Sequence, residues 1–95
     1  MPRIRHQVVF TLNPDADEAD FIKAAAALES IPGVEAFEVM REVSPKNSYE
    51  HGLTMEFADQ AAYTAYNEHP DHVGFVKNRW DAEVADFLEI DTVAR

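Results

Sequence analysis

The chain has 95 residues, no cysteine and a formal net charge of −10, with 18 acidic against 8 basic side chains. Disulfides and thiolate-bound zinc are thereby excluded, and nucleic acid is a poor partner because its binders draw most of their affinity from lysine and arginine. With 46% hydrophobic residues the composition is globular, and residues 1–95 are expected to form one domain whose small core buries only about 60% of the unfolded surface.

The opening MPRIRHQVVF has too brief an apolar run for a signal peptide, and no stretch approaches the roughly 18 apolar residues of a membrane span. A cytoplasmic, acidic protein without a membrane partner is therefore expected. From Arg3 to Leu12 the residues alternate, Ile4, His6, Val8 and Phe10 against Arg5, Gln7, Val9 and Thr11, which predicts a strand. Asn13-Pro14 breaks it, and the acidic run DADEAD sits where carboxylates favour a helix N-terminus. Phe21, Ala24 or Ala25, Leu28 and Ile31 recur at helical spacing, and Pro32-Gly33 stop the helix near Ser30.

A second strand is predicted over Val34 to Val43, with Glu35, Phe37, Val39, Arg41 and Val43 opposite Val34, Ala36, Glu38 and Met40. Ser44 to Ser48 reads as a turn, and Tyr49 to Phe57 as a third strand with His51, Leu53, Met55 and Phe57 on one face. Asp59 is a suitable N-cap for a helix carrying Ala62, Tyr63 and Tyr66 on one side. Pro70 suits a first helical position, so the second helix is expected to break after Glu68 and restart, with His69 as a cap. After the restart His72, Val73, Val76, Trp80 and Val84 form a stripe, and Ala85 to Val93 alternates as a fourth strand.

The order β-α-β-β-α-β predicts an α+β, ferredoxin-like fold: a four-stranded antiparallel sheet with helices on one face. The other face is left bare, with Val9, Val39, Val43 or Phe37 to offer, and a small domain covers such a face with a copy of itself. A homodimer packed through the open sheet face is expected. His69 and His72 lie three apart, but Pro70 disrupts their geometry and no second chelating pair stands out, so no metal is expected. Glycine-rich phosphate loops, HExxH runs and serine-nucleophile motifs are also missing, and no cofactor is expected.

The segments RHQVVFTL, IPGVEAFEV, HGLTMEF, AYNEHPDHVGFV and FLEID together resemble the Dabb family of stress-responsive dimeric α/β-barrel proteins, most specifically through Tyr66, His69, Pro70 and His72. The resemblance covers nearly the whole chain. It implies a ferredoxin-like protomer whose sheet pairs with that of a second copy to form a dimeric α/β barrel. Most such proteins have no assigned reaction, while some plant members are polyketide cyclases that use a histidine and a tyrosine of this motif as an acid–base pair.

Carried over to this sequence, that pair is His72 with Tyr66, with His6, His51 and Tyr63 as further ligand contacts in a pocket between sheet and helices. A neutral His72 accepts a proton from a carbon acid while the Tyr66 hydroxyl donates to the developing enolate. The alternatives are packed, structural histidines at His6 and His51, a His72 that only ties the two helical segments together, and a purely structural stress protein. Where cyclase-like members place a hydroxyl-bearing aromatic on the first helix, this chain runs Ala24 to Ala27, which either enlarges a cavity or lets the helix settle and close it.

Overall fold

The computed structural model describes residues 2–95, and its organisation follows from the first strand, β1 (Ile4–Leu12). Ile4, His6, Val8 and Phe10 are buried, whereas Arg5 and Gln7 are exposed, so period-two alternation gives this strand a covered and an open side. Antiparallel pairing joins β1 to β3 (His51–Phe57) on one flank and to β4 (Val84–Val93) on the other, and β2 (Glu35–Arg41) pairs outside β3. The strand order β2-β3-β1-β4 is the ferredoxin-like arrangement.

Local chemistry sets the helices. Asp17 caps α1 (Glu18–Ala26) by accepting from the Asp20 N–H, and a 3-10 turn (Ala27–Ser30) carries the helix on until Gly33, at φ +91°, reverses the chain. Asp59 caps α2 (Gln60–Glu68) in the same way, through the Ala62 N–H. Pro70 then opens α3 (Pro70–Phe75), which continues as a π turn (Val76–Trp80) and a final short turn, α4 (Asp81–Glu83).

The helices lie on one face of the sheet over two apolar clusters. One gathers Ile4, Leu28, Ile31, Met55, Phe57, Tyr63 and Tyr66, and the other Val8, Phe10, Phe21, Ala25 and Leu53. The helix layer stops short of β4, whose residues are almost all exposed on both sides.

Three expectations need correction. Phe37 and Val39 do not lie on the open face: Ala36 takes a left-handed φ of 50°, the β2–β3 register shifts between Glu35 and Glu38, and this bulge turns Val39 to the same side as its partner Leu53. Met40, opposite Gly52, takes their place beside Val9, with Val43 beyond the end of β2. Of the stripe after Pro70, His72, Val76 and Trp80 do turn inward, but Val73 is half exposed, with Phe75 in the inward position, and Val84 begins β4 instead of ending the helix. The open face therefore offers Val9 with Met40, Leu88 and Ile90, the last three 42%, 49% and 45% exposed.

Candidate functional site

The helix break creates a hydrogen-bond acceptor. His69 has an extended backbone and its ring Nδ1 accepts from the Asp71 N–H at 3.1 Å, so this amide is not available to the carbonyl of Asn67 four residues earlier. That carbonyl instead lies 3.2 Å from His72 Nδ1. A carbonyl only accepts, so His72 carries its proton on Nδ1 and leaves the Nε2 lone pair free. The ring sits 4.4 Å from that of Tyr66, centroid to centroid. Burial, reinforced by the His6 ring nearby, pushes the His72 pKa below 6.5, against the opposing pull of the Asn67 carbonyl and the Glu89 charge. Tyr66 is fully buried, and its phenol is driven well above its ordinary pKa, first by burial and then by the Glu89 charge, so it remains a donor.

These two side chains border a cavity of about 310 Å³ between the sheet and the run from α2 to α4. The π turn supplies its outer wall: the wider turn closes with the Asp81 N–H on the Val76 carbonyl, and Val76, Trp80 and Asp81 all reach the cavity. His6, Val8, Phe87 and Glu89 line the sheet side.

His6 belongs to a hydrogen-bonded group of its own. The β1–β4 register sets Asp91 directly opposite His6, and the His6 Nδ1 lies 2.5 Å from Asp91 Oδ1. The Tyr63 hydroxyl donates to the other carboxylate oxygen at 2.8 Å and stands 3.2 Å from the same ring nitrogen. Because the carboxylate only accepts, His6 too is protonated at Nδ1, and its ring lines the cavity. Burial and then the Asp91 hydrogen bond drive the Tyr63 phenol well above its ordinary range. His6, Glu89 and Asp91 could each bring a ligand atom within 4.8 Å of the others, but the Asp91 carboxylate is already shared between His6 and Tyr63.

Of the five sequence-derived site residues, His6, Tyr66 and His72 line the cavity. Tyr63 stands behind His6 and reaches the site only through it. His51 does not line it: its ring packs on Phe10 and its Nε2 lies 3.4 Å from Glu18, at the end of the layer filled by Phe10 and Phe21. Ala24 to Ala27 do not line it either, and Ala25 is wholly buried against the sheet. Sequence reasoning passed over Glu89 and Asp91. Their signal was the alternation of β4, which puts both on the side of Phe87 and away from Leu88 and Ile90.

Residues 4–94 match the family model described as the stress responsive A/B barrel domain, Dabb. Among solved structures, a Dabb family protein with a ferredoxin-like fold from Mesorhizobium loti is 52% identical, with a TM-score of 0.93, over 100% of this chain and 99% of that one. A dimeric ferredoxin-like protein of unknown function from Thermobifida fusca is 19% identical, with a TM-score of 0.82, over 98% and 92%. The hydroxynitrile lyase from Passiflora edulis is 14% identical, with a TM-score of 0.87, over 99% and 94%, a likeness of fold alone. No curated protein sequence matches the chain.

Proposed function

The chain belongs to the stress-responsive A/B barrel (Dabb) family, and from that premise we propose that it binds a small organic molecule in the cavity beneath His72. The observation that carries this reading is the cavity itself, about 310 Å³ of space beside a paired His72 and Tyr66. Its lining joins apolar and aromatic side chains to a few polar groups that converge on one space, the composition of small-molecule sites. The tie from His72 to the Asn67 carbonyl does not compete with ligand binding, because it occupies Nδ1 alone and fixes the tautomer that presents Nε2.

The same atoms favour a second reading, acid–base catalysis on a carbon acid. His72 Nε2, neutral near pH 7, takes the proton, and the Tyr66 hydroxyl donates to the oxygen on which negative charge develops. The His6 ring, held by Asp91, offers a second acceptor to the same space. The functional unit is a homodimer closed through the open sheet face, on which Val9, Met40, Leu88 and Ile90 stand uncovered. The dimeric relative from Thermobifida fusca supports that assembly.

The test is thermal stabilisation across a panel of small phenols, ketones and amines, with wild type beside His72→Ala and Tyr66→Phe. A compound at a hundred times its dissociation constant stabilises the native state by about 2.7 kcal/mol. A compound that stabilises wild type but not His72→Ala supports the cavity as the site. Equal stabilisation of both proteins, or none by any compound, sinks it.

A further inference from the structure

We propose that the ligand of this cavity is an organic cation, a protonated amine on a small apolar or aromatic body. The inference rests on the reading of the cavity as a ligand site and adds the charge of what enters it. The cavity lining contains no lysine or arginine, but it holds two carboxylates, Glu89 and Asp81. Glu89 stands opposite Val8 in the β1–β4 register and therefore projects to the helix side, while Asp81 follows the π turn directly. The charge of Glu89 reaches the site: it adds to the effect of burial in raising the Tyr66 pKa, and at His72 it opposes the burial that lowers the pKa there.

Aromatic faces accompany these charges. Trp80, next to Asp81 in the chain, and Phe87, on the Glu89 side of β4, have ring centroids 5.5 Å apart in an edge-to-face arrangement. Tyr66 and Phe75 line the same space. Carboxylates combined with aromatic faces attract ammonium groups by both Coulomb and cation–π terms. The two basic side chains nearby, Arg79 and Lys77, stay outside the cavity lining. Arg79 is engaged with Asp20 at 2.7 Å and Glu83 at 2.5 Å. Lys77 lies with Asp81 along a shallow outer groove, and among the described residues no ion pair joins it to either carboxylate. An anionic ligand meets two like charges and a protein of net charge −10. A body of single-ring size suits the volume, which is at the small end of ligand pockets.

The experiment compares 2-phenylethylamine, 2-phenylethanol and phenylacetate, matched in size and differing in charge. Titrations at pH 7.5 are followed by calorimetry and by the NMR signals of the Trp80 indole and the Tyr66 and His72 rings. The amine is expected to bind about tenfold more tightly than the alcohol, with phenylacetate weakest. Glu89→Gln, a near-isosteric change at an exposed position, should shrink the amine-to-alcohol ratio severalfold, as should Asp81→Asn. An alcohol or acid that binds as tightly as the amine overturns the charge preference and leaves the ligand-site reading standing. An amine that binds without moving the three ring signals overturns it as well, since the binding is then elsewhere on the acidic surface. If none of the three binds, the inference fails, and the ligand-site reading is decided separately by the wider panel of phenols, ketones and amines.

Discussion

Replacing Asp91 by alanine should change which nitrogen of His6 carries the proton. In the native arrangement the ring donates from Nδ1 to Asp91 Oδ1 at 2.5 Å, and the Tyr63 hydroxyl donates to Oδ2 at 2.8 Å. Without the carboxylate, that hydroxyl still has His6 Nδ1 within hydrogen-bond reach, 3.2 Å away. The Tyr63 hydroxyl then donates to Nδ1, the proton moves to Nε2, and the side of the ring that accepted hydrogen bonds from the cavity becomes a donor. Two hydrogen bonds to a charged acceptor are worth about 1.5–3 kcal/mol each. One is replaced by the Tyr63–His6 bond, and the carboxylate is 36% exposed and partly served by water. The net loss should be about 2 kcal/mol, measured by urea unfolding at fixed protein concentration. The tautomer is read from the two imidazole ¹⁵N shifts, which exchange character between wild type and Asp91→Ala. An unchanged pattern at His6, with the fold intact, refutes the proposed proton placement.

Further outcomes follow from the same geometry. The NMR titration midpoint of His72 should lie below 6.5, because burial lowers its pKa in the folded chain. Its contribution to stability is then complete above the unfolded value of about 6.5 and is lost as pH falls through the lowered folded value. A midpoint at or above 6.5 contradicts this. Leu88→Lys combined with Ile90→Lys places two charges on the open sheet face and should turn a dimer into a monomer in sedimentation velocity, with little change in far-UV circular dichroism; a persisting dimer puts the interface elsewhere. Phe21→Ala removes a wholly buried ring in contact with Phe10, Phe75 and Trp80 and should cost about 3–5 kcal/mol. A loss below about 1 kcal/mol means that the cluster closes over the gap with ease.

Features set by short-range chemistry were legible in the sequence. Asp59 as a cap, Pro70 as a restart, His69 as the residue that bridges the break, and the end of the first helical run at Ser30 all stand where residue type and spacing place them. Features set by register or by an inserted residue were not. No residue preference marks Ala36 for a left-handed conformation, yet that one residue decides which side of β2 is covered. The π turn that widens the cavity wall has no signature in VKNRW. Asp91 reaches His6 from 85 residues away, through pairing that only the assembled sheet defines. His51 shares a face with the cavity residues of its strand, but period-two reasoning fixes a face and not a position along it, and Phe10 and Phe21 fill that end.

Strand β4, which the helix layer leaves largely uncovered, serves two masters by alternation. Phe87, Glu89 and Asp91 face the cavity side, and Leu88, Ile90 and Thr92 face the open side. In the proposed dimer the partner holds one side of this ribbon while the ligand touches the other, so association and ligand binding share a single backbone. Any coupling carried by that backbone must be reciprocal: if occupancy of the cavity tightens the dimer, dissociation of the dimer weakens the cavity's hold on its ligand by the same factor. In that case the working concentration of the protein is one of the variables that set how well it holds its ligand.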